Sequence, residues 1–522
     1  MKIMKLGKKQ SLSTVATWII PLMVFSVLFT ACQEEKAEQQ KPNVLLIMVD
    51  DLKPAIGAYG DETAVTPEID KLADQGIRFE AAYSNQAVCA PSRYNLMLGS
   101  RSTSTGIYNF GRNFRDFYPD ATTLPQYFKE NGYHAEAMGK VYHIGHNTYD
   151  DSASWSVPPY HDKVIEYNDP ESTPEGEMTR EQALFSNKGW DFARSLKRGA
   201  AWESPEVADT AYADGRVAQR AIKRLGELKA NSDKPFFMAV GFARPHLPFS
   251  VPQKYWDMYD PQELPMPKIE EMPEGAPEYA GKTSGEIAQY KPVPKADEYS
   301  GDEPYPEDLK RNLIHGYYAG VSYSDAQVGK VLEALKKQGL DENTIVVLWG
   351  DHGFHLGELN IWTKHVNYET ANRIPLFIKA PGITEPGTST GQLAETVDIY
   401  PTLADLAGLS TPKTAQPFDG ESLVPVLKDP ETRVSEYAYH AYPRGGRMGR
   451  AIRTDRYRMV EWKKIGADPE TAEIELYDYS DGSVEQENIA DEKPEVVKRL
   501  REMLNKQPEA TKPRPRRDWG KE

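Results

Sequence analysis

Three short apolar runs, each followed directly by charged or polar residues, restrict what this chain can fold into. They read N-V-L-L-I-M-V at 43–49, P-F-F-M-A-V-G-F at 235–242 and T-I-V-V-L-W at 344–349. Continuous apolar runs of this length are typical of strands that are buried on both faces, as in a parallel sheet. We therefore predict an α/β fold.

The residues just past these runs are candidates for a ligand site. Asp50 and Asp51 follow the first run, R-P-H at 244–246 follows the second, and Asp351 with His352 follows the third. Ligands of open α/β sheets gather at the carboxyl ends of the strands. Two adjacent carboxylates repel each other unless a cation lies between them, so Asp50 and Asp51 indicate a metal site. A helix N-cap with a solvated neighbour is the alternative.

A further feature is the stretch C-A-P-S-R-Y-N-L-M-L-G-S-R at 89–101, which begins with one of the chain's two cysteines. Pro91 suits the first turn of a helix, where its missing N–H costs nothing. Cys89 is then expected at the N-terminal end of that helix, where free N–H groups and the helix dipole favour an anion. By itself, the stretch is equally compatible with a small buried residue at a helix start.

Six blocks along the chain carry a resemblance to a known family. They are N-V-L-L-I-M-V-D-D-L at 43–52, Q-A-V-C-A-P-S-R at 86–93, P-Q-Y-F-K-E-N-G-Y at 125–133, G-K-V-Y-H at 139–143, P-F-F-M-A-V-G-F-A-R-P-H-L-P-F at 235–249 and G-D-H-G-F-H-L-G-E at 350–358. The chain resembles the type I, formylglycine-dependent sulfatases, and within them the iduronate-2-sulfatases, from Asn43 to about residue 490. This resemblance implies an alkaline-phosphatase-like fold, with a large, mixed and mostly parallel sheet flanked by helices and a small C-terminal antiparallel subdomain.

The resemblance also implies a set of catalytic residues. Cys89 is converted to formylglycine by a separate formylglycine-generating, or sulfatase-maturing, enzyme, and the hydrate of the aldehyde provides the nucleophile. The family pattern places the other roles on Arg93 beside the hydrate, Lys140 and Lys364 on sulfate oxygens, His143 as the base for the second hydroxyl, and His246 on the sulfate or the leaving oxygen. Histidine suits proton exchange near neutrality because its reference pKa is about 6.5. Three other histidines lack such a match and are expected only to line the pocket: His355, His365 and His440.

The expected metal is a hard divalent cation, calcium. Its implied ligands are Asp50, Asp51, Asp351 and His352, joined by Cys89 once that residue carries oxygen. Carboxylate oxygens are the ligands that calcium prefers. A neutral imidazole is an unusual calcium ligand, and many family members have Asn where His352 stands, so the identity of the metal stays open.

The formal charge of −16 excludes non-specific binding to polyanions and argues against a nucleic-acid partner. An anionic substrate then needs a local concentration of positive charge. The candidate substrate-binding residues are Arg244, Arg444 and Arg447, although a solvated basic loop is the alternative for the last two. The expected substrate is a sulfated polysaccharide or oligosaccharide, first an iduronate or uronate 2-O-sulfate and second an ulvan-type algal glycan.

The first 31 residues are typical of a secretory signal, with four lysines before an apolar run that ends at Ala31. Cys32 follows directly, which predicts a lipoprotein signal peptide at 1–31, a lipid anchor on Cys32 and a polar tether at 32–42. An uncleaved transmembrane anchor is the alternative. We expect a cell-envelope lipoprotein on the periplasmic face or the outer-membrane surface. With Cys32 and Cys89 each used separately, no disulfide is expected.

We expect a catalytic domain at 43–425 and a C-terminal subdomain at 426–522. Helices are predicted at 66–76 with Thr66 as the N-cap, at 308–340 as one or two helices, at 396–408 and at 494–505; strands are predicted within 450–462 and 475–479; loop insertions are predicted at 146–200 and a surface excursion at 252–306.

Two other functions remain compatible with the sequence. A phosphatase or phosphonate hydrolase of the same superfamily would not require formylglycine. A catalytically inactive glycan-binding lipoprotein would not require the complete set of ligands and Cys89. The exact sugar, the position of its sulfate, exo or endo action and the oligomeric state cannot be read from this sequence.

Overall fold

The computed structural model describes residues 41–516 except 232, 283–284, 296–297, 299–302, 481 and 483. The predicted signal peptide, Cys32 and nearly all of the tether lie outside these described residues, so these remain predictions. From Lys41 onward the chain forms one compact unit. Among the described residues, no helix is both long enough and apolar enough to cross a membrane.

The main sheet has eight strands, which are β1 (Asn43–Val49), β2 (Ile77–Tyr83), β3 (His134–Gly139), β5 (Phe236–Phe242), β7 (Thr344–Gly350), β8 (Arg373–Ile374), β9 (Leu376–Lys379) and β10 (Thr388–Glu395). Their order across the sheet is β10-β2-β9-β7-β1-β5-β3, with β8 paired to β2. The short strands β4 (Trp202–Glu203) and β6 (Phe249–Ser250) form a separate pair. Within the main sheet β9 is antiparallel to both its neighbours, while β3, β5, β1 and β7 run parallel. The sheet is therefore mixed and mostly parallel, as predicted.

Helices flank the sheet. They are α1 (Pro67–Ala73), α2 (Cys89–Leu98), α3 (Ser102–Thr105), α4 (Leu124–Glu130), α5 (Arg180–Phe185), α6 (Trp190–Ser195), α7 (Ala213–Asn231), α8 (Gln253–Trp256), α9 (Glu307–Lys337), α10 (Glu369–Asn372), α11 (Ile399–Leu406), α12 (Val424–Lys428) and α13 (Pro494–Leu504). The apolar spacing at 308–340 thus belongs to one helix, α9, and not two.

The two faces of the sheet bury separate apolar cores. Alternate residues of β1 show this, since Leu45 and Ile47 belong to one core and Val44 and Leu46 to the other. Helices α1, α7 and α9 cover the first face, and α2, α4, α11 and α12 cover the second. This is the reason that the central strands are apolar without alternation.

The C-terminal part contains a four-stranded antiparallel sheet, in the order β11-β12-β13-β14. Its strands are β11 (Ala438–Arg444), β12 (Arg447–Arg453), β13 (Tyr457–Lys463) and β14 (Glu473–Asp478). Helix α13 packs on it through Leu500 and Leu504. The predicted antiparallel subdomain is confirmed in its architecture, while its boundary at residue 426 stays a prediction.

Two local expectations need correction. Thr66 does not cap α1 with its side chain, because its hydroxyl accepts from the Gly57 amide and donates to Asp70. The excursion at 252–306 is not only a surface feature, since Tyr290 and Ile287 are fully buried in the first core. The basic C-terminal tail also contacts the main domain, because the Thr511 amide donates to the Thr103 carbonyl at 2.7 Å.

Candidate active site

The parallel strands bring the predicted site residues to one edge of the sheet. Val49 of β1 pairs with Phe242 of β5 and with Gly350 of β7, so the strands end level with one another. Asp50 and Asp51 follow β1, and the other groups come from the residues after its neighbours: Lys140 and His143 after β3, His246 after β5, Asp351 and His352 after β7. The prediction that these residues lie together is met at this edge.

Cys89 is the first residue of α2, and its thiol lies inside the site. The side chain is 1% exposed, and its Sγ lies 3.3 Å from Nε2 of His352. Burial, and then the negative charge of Asp50, raises the pKa of the Cys89 thiol well above its ordinary value. A neutral thiol at this position is a weak nucleophile, since the reactive form of cysteine is the thiolate.

Four side chains offer ligand atoms to a cation. One atom each from Asp50, Asp51, Cys89 and His352 lies within 4.8 Å of all the others. Asp51 adopts a left-handed backbone conformation, with φ of 59°, which a non-glycine residue rarely does. Such strain is common at functional sites, where it aims a side chain that the surrounding structure holds in place.

Asp351 lies beside this cluster rather than in it. Its Oδ1 accepts hydrogen bonds from the amides of Asp51 and His352, both at 3.0 Å, and its Oδ2 lies 3.0 Å from Nε of Arg93. Burial and the charge of Asp50 raise the pKa of Asp351 well above its ordinary value. The arrangement makes Asp351 the anchor for Arg93, and its predicted role as a metal ligand stays a prediction.

Arg93 is fully buried and connects three strands. Its Nη2 lies 2.9 Å from Oδ1 of Asp50, and its Nη1 donates to the backbone carbonyls of Lys140 and Val141. A buried guanidinium with two carboxylate partners and two carbonyl partners has most of its donors satisfied. Arg93 therefore fixes the strand ends relative to Cys89, four residues before it on α2.

The two predicted sulfate-binding lysines each contact one of the strand-end carboxylates. The ammonium of Lys140 contacts Asp50, and that of Lys364 lies 3.0 and 2.9 Å from the two carboxylate oxygens of Asp51. Both lysine side chains are nearly unexposed. Positive charge is thus concentrated locally in a protein that is acidic as a whole, as the sequence required.

His143 lies in an aromatic surrounding. Its ring packs on Phe110 at 4.6 Å and on Phe185 at 5.3 Å between ring centres, and its Nε2 lies 3.2 Å from Nδ1 of His146. Burial, and then the charge of Lys140, holds the pKa of His143 well below its ordinary value. A histidine that stays neutral is able to accept a proton, which is the role that the family pattern gives it.

His246 shares its contacts with a residue that the sequence did not reveal, Glu286. The Nδ1 of His246 lies 2.6 Å from the carbonyl oxygen of Leu247, and its Nε2 lies 3.2 Å from Oε1 of Glu286. The other oxygen of Glu286 lies 2.9 Å from Nζ of Lys364. Nothing in the sequence distinguished Glu286, because it is one of many acidic residues in an irregular excursion.

The three predicted substrate-binding arginines lie in different surroundings. Arg244 is buried and donates to the backbone carbonyls of His246, Pro248 and Val164, so it holds the turn that carries His246. Arg447 is half-exposed, pairs with Glu473 at 3.2 Å and lies over the ring of Tyr279. Arg444 lies near Lys364, since its Nη2 donates to the carbonyl of the next residue, His365.

Of the three unassigned histidines, only His365 lies beside Lys364, which it directly follows in the chain. His355 and His440 are fully buried, with Nδ1 atoms 3.2 Å from the Glu358 carbonyl and from Oδ1 of Asn367 respectively. Burial lowers the pKa of His355 to about 4. Both are neutral core residues.

A cavity of about 800 Å³ adjoins Lys140. Its lining includes Tyr142 and Phe185, together with much of the segment from His161 to Ser186. This segment belongs to the predicted loop insertion at 146–200, which contains α5, α6 and three single-turn 3-10 helices. The insertion thus borders a cavity that is large enough for a saccharide.

The sequence of this chain matches the profiles of known sulfatase families. The sequence profile of the sulfatase family matches residues 42–409, and that of the C-terminal part of N-sulphoglucosamine sulphohydrolase matches residues 357–510. The first match alone covers more than half of the chain.

Individual relatives agree with these profiles. The chain is 33% identical to iduronate 2-sulfatase of Homo sapiens over 490 residues, which cover 82% of this chain and 86% of that protein. It is 29% identical to an ulvan-active sulfatase of Formosa agariphila over 86% of this chain and 80% of that protein.

Among solved structures, BT4656 in complex with its substrate D-glucosamine-2-N,6-O-disulfate aligns with a TM-score of 0.67 at 21% identity. The alignment covers 90% of this chain and 97% of that one. At this identity the likeness supports the alkaline-phosphatase-like fold.

Proposed function

This chain belongs to the sulfatase family, and on that premise we propose that it hydrolyses sulfate monoesters on a sulfated glycan, with an oxidised Cys89 as the nucleophilic residue. The observation that carries the proposal is the convergence of Cys89, Lys140 and Lys364 at one edge of the sheet. A scaffold alone would not need two nearly unexposed lysines beside a cysteine and two strand-end carboxylates.

The donor atoms fit a divalent cation. Asp50 and Asp51 offer oxygen, and His352 offers nitrogen, all within the 4.8 Å cluster. Cys89 contributes sulfur as the thiol and oxygen once it is converted to formylglycine, which turns a mixed donor set into a mainly hard one that suits calcium. A bound cation supplies Lewis-acid polarisation of the sulfate and of the nucleophile.

The remaining residues bind the sulfate and move protons. We assign Lys140 and Lys364 to the sulfate oxygens, where an ammonium stabilises the charge that develops in the transition state. We assign to Nε2 of His246, which contacts Glu286 in the absence of substrate, the donation of a proton to the departing sugar oxygen; Nδ1 of the same ring is held by the Leu247 carbonyl. His143 remains neutral beside Lys140 and accepts the proton that is released when sulfate leaves.

The proposed substrate is a sulfated uronate saccharide, with an ulvan-type glycan as the second choice. Iduronate 2-sulfatase and an ulvan-active sulfatase are both relatives of this chain, and the structural neighbour BT4656 binds a disulfated glucosamine. All three names refer to sulfated glycans, which supports a saccharide over an aryl or choline ester.

The test combines peptide mass spectrometry with a substrate panel. Protein produced together with a sulfatase-maturing enzyme should carry formylglycine at position 89 and release sulfate from a sulfated uronate saccharide. Cys89→Ala should fold normally and release none. Active protein with an unmodified cysteine would refute the nucleophile, and faster cleavage of a phosphonate monoester than of any sulfate ester would favour the hydrolase alternative.

We also propose that the protein is a lipid-anchored component of the cell envelope. The proposal rests on the order of charged, apolar and small residues before Cys32 in the sequence. Detergent-phase partitioning of the full-length protein, and its loss in Cys32→Ser, would support it. Equal partitioning of the two proteins would refute it.

A further inference from the structure

Beside Lys364 the structure places three basic side chains that the proposed reaction does not use. Nζ of Lys282 lies 2.9 Å from Nδ1 of His365, and Arg444 donates from Nη1 to the carbonyl of Gly281 at 2.8 Å and from Nη2 to that of His365. We call Lys282, His365 and Arg444 the basic subsite. They come from three separate parts of the chain: the excursion, the loop of the catalytic lysine and β11.

Within the described part of the chain, none of these three side chains forms an ion pair with a carboxylate. Glu286 is the one carboxylate among the groups that mainly determine the pKa of Lys282, and it is already bound to Lys364 and His246. Burial, and then the charges of Arg444 and Lys364, lowers the pKa of Lys282 to about 8. His365 is neutral, because burial and then the charge of Lys282 hold its pKa well below its ordinary value, so Lys282 and Arg444 are the two cations of the subsite. Cations without a bound carboxylate are costly to bury, and such groups are characteristic of binding sites for anions.

A second observation also indicates a ligand. The hydroxyl oxygen of Thr363 is fully buried and has no hydrogen-bond partner among the described residues. That oxygen and Nζ of Lys282 both lie 3.0 Å from the point where a Cβ on Gly285 would stand. Any side chain at Gly285 would therefore fill the space between the Lys282 ammonium, which has no carboxylate partner, and the unpaired Thr363 hydroxyl.

The subsite is adjacent to Lys364, one of the two lysines that we assign to the sulfate. The ring of Tyr442 stacks on His365 at 6.1 Å and lies 5.1 Å from the Arg444 guanidinium carbon. His365 directly follows Lys364, and consecutive Cα atoms are about 3.8 Å apart. All three basic side chains are half-buried and so reachable from the cleft. A sugar whose sulfate lies on Lys364 would present its next substituent here.

We propose that the basic subsite binds a second anionic group, a carboxylate or another sulfate, on the same sugar that carries the scissile sulfate. The proposal rests on the proposed sulfatase function and makes that function selective for sugars with two anionic groups. Arg444 provides the N–H donors that the Gly281 and His365 carbonyls leave free, Lys282 an ammonium and Thr363 a hydroxyl, which together match the oxygens of one carboxylate or sulfate.

Kinetics on three matched substrates distinguish the two ligands. They are a 2-O-sulfated uronic acid saccharide, the same saccharide with its carboxyl reduced to an alcohol, and a disulfated hexosamine. Lys282→Met should lower kcat/KM about ten- to a hundredfold, through KM, on the substrate whose second anion is bound. A loss confined to the uronate identifies a carboxylate, and a loss confined to the disulfated sugar identifies a sulfate. Equal losses on all three, or none, would overturn the proposal.

Arg456→Met is the matched control, because Arg456 lies directly before β13 of the same antiparallel sheet, is exposed and is already paired with Asp478. It should change kcat/KM little on every substrate, whereas Arg444→Met should resemble Lys282→Met. A loss from Arg456→Met as large as that from Arg444→Met would overturn the local assignment. Thermal unfolding identifies any variant that is misfolded, and Lys282→Met keeps the test valid if Arg444→Met is one.

A binding measurement separates this proposal from the proposed function. Calorimetry with Cys89→Ala protein and the 2-O-sulfated uronate or the disulfated hexosamine does not depend on turnover. The double variant Cys89→Ala/Lys282→Met should bind one of these two sugars about ten- to a hundredfold more weakly than Cys89→Ala does. Unchanged affinities, or no binding of either sugar, would overturn the basic subsite, while absent turnover with intact, Lys282-dependent binding would count against the reaction alone.

Discussion

Glu286 holds the two side chains that the sulfate of a substrate would need. Its carboxylate oxygens lie 2.9 Å from Lys364 and 3.2 Å from His246. A carboxylate and one edge of a sulfate present similar pairs of oxygens, so the two compete for the same donors. The affinity of the enzyme for sulfate esters is therefore set partly by a residue of its own.

Replacing Glu286 by glutamine removes this competing charge and keeps the shape. We expect inorganic sulfate to inhibit Glu286→Gln about tenfold more strongly than wild type, because one charge-assisted contact no longer has to be broken. The inhibition constant of sulfate, measured with an aryl sulfate as substrate, tests this. Weaker inhibition together with a lower kcat would mean that Glu286 is needed to position Lys364 and His246.

Removal of the proposed cation should inactivate the enzyme. Asp50 and Asp51 are adjacent and unexposed, and their mutual repulsion requires positive charge at the cluster. After exhaustive chelation, sulfate release should fall to background, and calcium should restore it better than zinc in protein with a converted Cys89. Full activity of demetallated protein would show that Lys140 and Lys364 alone neutralise the carboxylates.

At the scale of elements, two glycines allow β3 and β5 to end side by side. A Cβ on Gly241 would lie 2.1 Å from the carbonyl oxygen of Lys140, and one on Gly139 would lie 2.1 Å from that of Gly241. The close approach sets the position of Lys140, and therefore of its ammonium beside Asp50.

Gly241→Ala should consequently damage both stability and activity. Overpacking of this kind typically costs about 1–3 kcal/mol, and the strand end would have to move to relieve it. The free energy of unfolding, measured in urea, and kcat on an aryl sulfate should both be lower than those of the wild type. Gly226→Ala is the matched control, because nothing lies closer than 3.5 Å to its Cβ and alanine favours its helix by about 1 kcal/mol. Equal behaviour of the two variants would contradict the packing argument.

Glu475 gives the antiparallel sheet a measurable pH dependence. It is fully buried, and its carboxylate oxygens accept from Trp462 Nε1 at 2.5 Å and from the hydroxyls of Tyr477 and Tyr368. Burial raises its pKa from 4.5 to about 7. The folded protein therefore keeps a proton that the unfolded chain loses, so the stability present below pH 4.5 declines as the pH rises to about 7.

Glu475→Gln should remove this decline. Each pH unit between the two pKa values costs the wild type about 1.4 kcal/mol, or about 3 kcal/mol in total, and an amide does not titrate. The difference in unfolding free energy between variant and wild type should thus grow in favour of the variant from pH 5 to pH 8. A difference that is independent of pH would show that Glu475 is ionised in the folded protein.

The regular elements were predictable because their signals are local. Apolar runs identified β1, β5 and β7, and Pro67 correctly predicted the first residue of α1. The side-chain cap by Thr66 was wrong because a tertiary partner, the Gly57 amide, takes its hydroxyl. A single sequence does not show such competition.

The site was predictable only where a motif or a strand end marked it. The strand end marked Asp50, the family resemblance alone indicated Lys364, and Lys282 and Glu286 were missed because they lie in an irregular, charge-rich segment. Their importance comes from contacts with residues 78 to 83 positions away, which the local pattern does not encode. Arg244 shows the reverse case, since its place after a strand suggested a ligand contact, whereas its guanidinium holds a backbone turn.

At the scale of the whole molecule, the C-terminal tail connects the chain's end to its catalytic half. The backbone carbonyl of Thr511 accepts a hydrogen bond from the hydroxyl of Tyr108 at 2.8 Å, and the amide of Arg514 donates to the carbonyl of Gly106 at 2.8 Å. The tail thus contacts the segment at 106–110, whose last residue, Phe110, packs on His143.

Deleting residues 508–522 should therefore lower both the unfolding temperature and kcat. The lost contacts include several hydrogen bonds, each worth about 0.5–1.5 kcal/mol, and the support of Phe110. Deleting only residues 517–522 is the comparison that separates the effect of the contacts at 508–516 from that of shortening the chain. An active and equally stable enzyme after the longer deletion would show that the tail has no part in ordering the segment at 106–110.

The burial of Cys89 has a consequence for how the protein is made. In the finished fold its side chain is 1% exposed and in contact with His352, which lies 263 residues later in the chain. If Cys89 is converted as we propose, the converting enzyme has to reach a side chain that the finished fold encloses, so it would act before folding is complete. A molecule that brings residues 344–352 into the sheet before the conversion would keep its buried thiol. The yield of converted protein would then depend on the rate of conversion relative to the rate of folding.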